Sequence, residues 1–133
     1  MSKYRMRDAA ALLGVSDDTL RRWAEAGRVT VIDDGGRQAI DGVELVRVAE
    51  EHAASIPVLV PTPPALASAR NRFVGVVSRI VRDEVMAQVE LQCGPNRIVS
   101  LISRESADAL ELEPGVLAVA SVKATNVSVE VPT

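Results

Sequence analysis

The sequence predicts a two-domain α+β chain in which a helical half is joined to a half built of short strands. In residues 1–55 the apolar side chains recur at helical spacing. In residues 66–133 they occur in short alternating segments that are separated by turn signals. Between the two halves, residues 56–65 contain Pro57, Pro61, Pro63 and Pro64, which predict an extended and semi-rigid linker.

Composition excludes several classes of protein. The 133 residues include one Trp, one Tyr and one Phe, so the cores must be aliphatic. Cys93 has no second cysteine to pair with, and neither a secretion signal nor an apolar run of roughly 20 residues occurs, so a cytoplasmic protein without a membrane segment is expected. His52, the single histidine, belongs to no cluster typical of a metal site or a catalytic triad. We therefore expect a non-enzymatic protein with no catalytic residues, no metal cation and no cofactor.

The N-terminal half begins with two short helices. The first is predicted over Arg7–Leu13 and ends at Gly14, and the second begins after the N-cap residue Ser16 and extends to about Ala26. Their spacing allows them to share one core across a tight turn. The residues expected in that core are Leu12, Val15, Leu20 and Trp23.

A hairpin and a third helix complete this half. Strands are predicted at Val29–Ile32 and Gln38–Ile40, and the pair Gly35-Gly36 between them is typical of a hairpin turn. The third helix is predicted over Asp41–Ala53. Its expected buried stripe consists of Val43, Leu45, Val46, Val48 and Ala49.

The C-terminal half is predicted to form a small barrel. Alternation is clearest where Val85, Ala87, Val89 and Leu91 share one face, and a short helix is predicted at Glu105–Leu110. Five strands and one helical turn in so few residues indicate a five-stranded OB-like β-barrel. The five strands are predicted at Arg72–Val81, Val85–Gln92, Arg97–Ile102, Leu117–Val122 and Val127–Val131.

The segment Met6–Arg28 resembles the helix-turn-helix of MerR-type and excisionase-like regulators, through the alanine pair Ala9-Ala10, the turn Leu13–Ser16 and the run Thr19–Trp23. The resemblance implies a winged helix-turn-helix whose second helix enters the major groove of double-stranded DNA and whose hairpin is the wing. The implied DNA-binding residues are Ser16, Thr19, Arg21, Arg22 and Arg37. Eight basic residues against ten acidic ones in this half weaken that prediction, and Arg21 and Arg22 have the alternative of pairing with Asp17, Asp18 or Glu25.

Three segments of the C-terminal half, Ser68–Gly75, Ile102–Ser106 and Val122–Thr125, together resemble the molybdate-binding Mop (TOBE, molbindin-like) domain. A tetrahedral oxyanion needs many hydrogen-bond donors, which small residues and hydroxyls supply. The implied oxyanion-binding residues are Ser68, Ala69, Arg70, Asn71, Ser103, Ser106, Lys123, Ala124 and Thr125. The alternatives are structural: Ser103 as a helix N-cap with Ser106, Asn71 as a turn residue, and Arg70 paired with Glu105 or Asp108.

The combined resemblance implies a molybdate- or tungstate-responsive DNA-binding transcriptional regulator that controls molybdate uptake or molybdenum-cofactor genes. The alternative is an intracellular storage or buffering protein with an accessory helix-turn-helix. Binding of nucleic acid by the barrel is disfavoured, because Phe73 is the only aromatic residue there. In the resembling family the sites lie between subunits, which implies a homo-oligomer, a trimer of dimers or, alternatively, a dimer. The choice between the two oxyanions and the sign of the DNA response stay open.

Overall fold

The computed structural model describes residues 2–57, 59 and 68–132. These divide into two compact units, Met1–Val58 and Leu59–Thr133. Of the predicted linker, Val58 and residues 60–65 lie outside the described residues.

The first unit consists of three helices and a small antiparallel sheet. The sheet has the strand order β1-β3-β2, and Gly35 and Gly36 form the two-residue turn between β2 and β3 with φ values of 64° and 86°. Both positive φ values favour glycine. The elements are β1 (Lys3–Arg5), α1 (Met6–Leu13), α2 (Asp17–Glu25), β2 (Ile32–Asp34), β3 (Arg37–Asp41) and α3 (Gly42–Ser55). β2 thus lies later in the chain than the predicted Val29–Ile32.

Local hydrogen bonds set the turn between α1 and α2. Gly14 ends α1 with a φ of 73°, and the amide of Val15 donates to the carbonyl of Ala10. Ser16 then caps α2, because its Oγ accepts a hydrogen bond from the amide of Thr19 at 3.1 Å. Leu20 is fully buried between these elements.

Three predicted core positions are wrong. Leu12 is 65% exposed, because the inward face of α1 is formed by Met6, Ala9, Ala10 and Leu13 at spacings of three and four residues. Val43 and Val46 are also exposed, since α3 turns Leu45 and Val48 inward instead. Val15 and Trp23 do pack against the core as predicted, although both are only partly buried.

The second unit is a curled antiparallel sheet with the strand order β6-β5-β4-β7 and one short helix. Its core contains Val77, Val89 and Leu91 from the sheet and Ala107 from the helix. This half-barrel is consistent with an OB-like fold. The elements are β4 (Asn71–Arg82), β5 (Met86–Cys93), β6 (Asn96–Ser103), α4 (Arg104–Ala109) and β7 (Leu117–Val122).

The predicted fifth strand does not form, so the prediction of a closed five-stranded barrel is wrong for the single chain. After β7 a 3-10 turn occupies Ala124–Asn126, and Val127–Val131 follows as an unpaired segment. An open cavity of about 460 Å³ lies between β6 and β7, the two outer strands of the sheet. Val85 was also predicted on a buried face, but it precedes β5 and is 69% exposed.

Candidate functional site

The pairing of β4 with β7 brings two of the three candidate oxyanion-binding segments together. Asn71 is opposite Val122 in the ladder, and its Nδ2 donates to the carbonyl oxygen of Val122 at 3.1 Å. Ser68–Asn71 therefore lies next to Lys123–Thr125 at one end of the sheet. Asn71 is held by this ladder contact and is not merely a turn residue.

The backbone next to Lys123 leaves donors available at this end. Ala124–Asn126 forms a single 3-10 turn in which the amide of Asn126 donates to the carbonyl of Lys123 and the amide of Val127 to that of Ala124. The turn does not use the amides of Ala124 and Thr125, and N–H groups of this kind suit an anion.

The charge at this end of the sheet is positive. Residues 66–82 and 114–129 contain no Asp or Glu, whereas Arg70 and Lys123 are exposed cations. Arg70 does not take its predicted alternative role: its Nη1 lies 3.5 Å from the carbonyl oxygen of Ser68, while Asp108 pairs with Arg82 and Arg104. We call the group Ser68, Ala69, Arg70, Asn71, Lys123, Ala124 and Thr125 the first site.

The remaining candidates, Ser103 and Ser106, lie at the opposite end of the sheet. Ser103 is paired with Met86, and Ile102 with Ala87, which in turn faces Arg82 at the far end of β4. The side chain of Ser103 accepts from the amide of Ser106 at 3.0 Å and donates to its hydroxyl at 2.8 Å. The predicted alternative, an N-cap of a short helix, is thus the conformation found.

Charged side chains around Ser103 differ from those of the first site. Arg82 donates to Asp108 and Glu113 at 3.1 and 2.9 Å, and Arg104 lies 3.6 Å from Asp108. Hydrogen bonds from the amides of Met86 and Val85 lower the pKa of Asp83, which keeps a further carboxylate ionised here. Carboxylates repel an oxyanion, so this end of the sheet is electrostatically the less favourable of the two.

In the first unit, α2 presents the candidate DNA-binding side chains to solvent. Ser16 donates to the hydroxyl of Thr19 at 3.0 Å, and Arg22 donates to the same hydroxyl at 3.2 Å. Within residues 2–57, neither Arg21 nor Arg22 forms an ion pair with a carboxylate. The predicted alternative of pairing with Asp17, Asp18 or Glu25 is therefore wrong. Arg37 is exposed at the hairpin turn.

Arg47 makes structural contacts that were not predicted from the sequence. Arg47 binds Glu44 through two hydrogen bonds of 2.7 and 2.9 Å, and it donates to the backbone carbonyl of Arg28 at 2.7 Å. Together with the amide of Thr30, Arg47 lowers the pKa of Glu44 to about 2. The Glu44–Arg47 spacing of three residues on a predicted helix was the available signal for this pair.

Trp23 contacts two side chains, Arg28 and His52, that are not among the candidate site residues. The guanidinium carbon of Arg28 lies 4.6 Å from the centroid of the Trp23 ring. The centroids of the His52 and Trp23 rings are 5.1 Å apart. His52 belongs to no catalytic or metal cluster and packs against Trp23. Its role here is structural.

The described part of the chain holds neither a metal-binding cluster nor a membrane-spanning helix. Residues 2–57, 59 and 68–132 contain no group of three or more His, Cys, Asp or Glu side chains placed to hold a metal ion. Among the helices of those same residues, none combines the length and the apolarity that crossing a membrane requires.

Comparison with known proteins gives matches to the second unit. The TOBE domain model matches residues 67–129. A molybdate-binding protein from Sporomusa ovata is 34% identical, and the match covers 96% of that protein and 48% of this chain, with a TM-score of 0.47. Residues 67–129 therefore form a TOBE domain.

Two further solved structures match this TOBE domain. MopII from Clostridium pasteurianum is 36% identical over 98% of its own length and 49% of this chain, with a TM-score of 0.46. The cytoplasmic molybdate-binding protein ModG is 39% identical over 48% of its own length and 50% of this chain, with a TM-score of 0.48. A search among curated proteins gave no match. The TOBE match includes the first site and both serines of the opposite end.

Proposed function

We propose that this chain is a cytoplasmic, non-enzymatic regulator that binds DNA through its first unit and a molybdate or tungstate oxyanion through its TOBE domain. The observation that carries the proposal is the first site itself. The β4–β7 ladder joins two segments about fifty residues apart, neither of which contains Asp or Glu, and these segments carry Arg70 and Lys123. Two of the matched proteins, the one from Sporomusa ovata and ModG, are described as molybdate-binding and support the same ligand.

Each residue of the first site has a defined task in this proposal. Lys123 and Arg70 supply positive charge, and the hydroxyls of Ser68 and Thr125 donate hydrogen bonds. The backbone amides of Ala124 and Thr125 supply further donors. Asn71 holds β7 in place through Val122, while the small side chain of Ala69 allows close approach of the ligand.

A second oxyanion-binding position, formed by Ser103 and Ser106, belongs to the same proposal. This position and the first site lie at opposite ends of β4. The twelve residues of that strand span roughly 36 Å if fully extended. One chain therefore cannot use both sets for a single ion. We propose a homo-oligomer, a trimer of dimers or a dimer, in which segments of different subunits complete each position.

The DNA-binding part of the proposal rests on α2 and the hairpin of the first unit. These elements are the proposed winged helix-turn-helix, with α2 in the major groove and Arg37 of the hairpin on the phosphate backbone. Arg21 and Arg22 have no carboxylate partners within residues 2–57, so both are available to phosphates or to guanine edges. Ser16 and Thr19 lie at the N-terminal end of α2, where backbone amides also suit a phosphate.

Calorimetric titration with molybdate, tungstate and sulfate tests the oxyanion part. We expect the wild-type chain to bind molybdate or tungstate and to reject sulfate. Lys123→Ala should weaken binding at least tenfold. Lys3→Ala is the matched control, because it removes the only other lysine, which lies in the first unit 3.7 Å from Asp34. Equal loss in both variants, or no binding by the wild type, would contradict the proposed site.

Selection from random double-stranded DNA, followed by anisotropy titration of the selected fragment, tests the regulator. Replacing both Arg21 and Arg22 by Ala should abolish binding or weaken its dependence on salt. In the second case the slope of log affinity against log salt concentration should become shallower by about one for each lost phosphate contact. Replacing Arg79 and Arg104, two exposed arginines of the second unit, by Ala is the control for net charge, because it also removes two positive charges. Added molybdate should change the DNA affinity, and DNA the molybdate affinity, by the same factor.

The alternative function is oxyanion storage or buffering, in which the first unit serves assembly. It is favoured if the oxyanion binds as described but no DNA fragment is selected. Control of molybdate uptake or molybdenum-cofactor genes is proposed as the output of the regulator, and genes adjacent to the selected DNA sites would test it.

A further inference from the structure

A groove of about 310 Å³ lies between α2 and the hairpin of the first unit. Its lining includes the buried side chains of Met6 and Val29. The polar part of the lining consists of Arg21 and Glu25 from α2 and Gln38 from β3, and all three side chains are exposed. A cation, a carboxylate and an amide thus meet in one recess, on the elements that are proposed to face DNA.

Arg21 and Glu25 do not pair with each other, although their spacing on α2 would allow it. Residues four apart on a helix lie on the same face, where opposite charges commonly form a pair. Within residues 2–57, however, neither of these side chains takes part in an ion pair. The carboxylate of Glu25 and the guanidinium of Arg21 are therefore both available to a ligand in the groove.

The carboxylate of Glu25 repels phosphates, but it suits one kind of base edge. In the major groove of B-DNA, cytosine presents its N4 amino group as a hydrogen-bond donor, and a Glu side chain accepts from this group. An Arg side chain donates to the O6 and N7 acceptors of guanine. Glu25 and Arg21 together therefore match the major-groove edges of G·C base pairs.

We propose that Glu25 is a specificity-determining residue of the DNA site, which accepts a hydrogen bond from the N4 amino group of a cytosine while Arg21 donates to a guanine. Glu25 has this role only if the first unit binds DNA as proposed above, and it was not among the candidate residues of that interface. Four residues of helix rise by roughly 6 Å, and base pairs are spaced by roughly 3.4 Å, so the two bases lie within about two base pairs of each other.

In this role Glu25 lowers the affinity for DNA in general and raises the selectivity for particular sites. Its negative charge faces the phosphates of any sequence, whereas its hydrogen bond forms only where a cytosine is in place. At other sites the carboxylate lies next to DNA without a donor, which disfavours the wrong sequence. A carboxylate among the arginines of α2 thus contributes to discrimination rather than to the strength of binding.

A substitution that removes only the charge of Glu25 tests this role. Selection from random double-stranded DNA is carried out with the wild-type chain and with Glu25→Gln, and each base pair of the selected fragment is then replaced in turn and titrated by anisotropy. At one G·C position Glu25→Gln should lose roughly 5- to 150-fold of discrimination, the range for one specific base contact. Its affinity for unrelated DNA should rise, because a repulsive charge is removed.

Two further variants locate the effect. Glu50→Gln is the matched control, because Glu50 is an exposed carboxylate on α3, outside the groove and without an ion pair in residues 2–57. It should leave discrimination unchanged at every position. Arg21→Ala, titrated at low salt, should relax a position within about two base pairs of the one that Glu25→Gln relaxes.

The outcomes separate failure of this role from failure of DNA binding. If Glu25→Gln and the wild type bind selected DNA with equal discrimination at every position, the first unit binds DNA but Glu25 does not read it, and the proposal is overturned alone. The same conclusion follows if Glu25→Gln, with unchanged Trp23 fluorescence, loses all DNA binding, because phosphate contacts do not need a carboxylate. If the wild type selects no sequence, the DNA-binding function fails and the role of Glu25 fails with it.

Discussion

Gly75 has no room for a side chain, and Gly75→Ala should therefore destabilise the second unit strongly. Gly75 lies on β4 where Gln92 and Cys93 of β5 pass closest. A Cβ atom added at Gly75 would lie 2.7 Å from Cys93 Sγ and 2.9 Å from the backbone carbon of Gln92, and closer still to the Gln92 carbonyl oxygen. Two of these three neighbours are backbone atoms, which cannot rotate away, so the strands themselves must separate.

The expected loss follows from the nature of that contact. Overpacking a core costs ~1–3 kcal/mol, and a rigid backbone neighbour places this substitution at about the upper limit. A unit of this size has a folding free energy of only ~3–5 kcal/mol from its core. We expect Gly75→Ala to remove most of it, which lowers the urea midpoint by ~1–3 M for a denaturant slope of ~1–3 kcal/mol per M.

Urea unfolding of the full chain can report the two units separately. Far-ultraviolet circular dichroism follows both units together, whereas fluorescence of Trp23, the only tryptophan, follows the first unit alone, so a change in circular dichroism without a fluorescence change belongs to the second unit. Gly94→Ala is the matched control, because its Cβ would meet nothing within 4 Å and only its φ of 58° would cost ~1 kcal/mol. The reasoning is refuted if Gly75→Ala costs no more than Gly94→Ala, or if the Trp23 transition shifts equally.

Three further predictions concern single side chains. Leu20→Ala should cost the first unit ~2–5 kcal/mol because Leu20 is fully buried, whereas Leu12→Ala should change stability by less than ~0.5 kcal/mol; urea midpoints from Trp23 fluorescence compare them, and equal losses would contradict the assigned core. Glu44 has its pKa lowered from 4.5 to about 2, so its contribution is complete above pH 4.5 and is lost as the pH falls through 2. Glu44→Gln should therefore be ~1–3 kcal/mol less stable than wild type at pH 7, and a difference that persists below pH 2 would be inconsistent with this cause. Burial raises the pKa of the Cys93 thiol, so a thiol reagent should modify it only after unfolding, and fast modification of the native chain would show that β5 opens.

Features that depend on neighbouring residues could be predicted from the sequence. The end of α1 at Gly14 follows from backbone geometry, and the cap at Ser16 follows from one short hydrogen bond. β7 begins and ends where the alternation of its sequence begins and ends. Leu12, Val43 and Val46 were assigned to the core wrongly, because helical spacing alone allows a wider stripe than the helix buries. Which side of that stripe is buried depends on the neighbouring helix.

Features that depend on long-range pairing could be predicted only in part. The candidate residues of the first site were predicted from local segments, but the contact of Asn71 with Val122 depends on the register of strands far apart in the chain. Alternation in Val127–Val131 indicates an extended conformation, yet it contains no information about whether a neighbouring strand pairs with the segment. The predicted fifth strand does not form, because no strand within residues 68–132 pairs with it.

The register of β4 with β7 also determines where this domain can tolerate changes in length. Side chains alternate along each strand, so a single-residue insertion between Asn71 and Val76 would turn Arg72 and its neighbours to the other face and separate Asn71 from Val122. Insertions at the turns Gly94–Pro95 or Pro114–Gly115 would leave that register intact. Homologues with longer or shorter loops at those two turns should thus keep the same surface around Lys123. Insertions and deletions inside β4 or β7 should be absent from homologues that keep this surface.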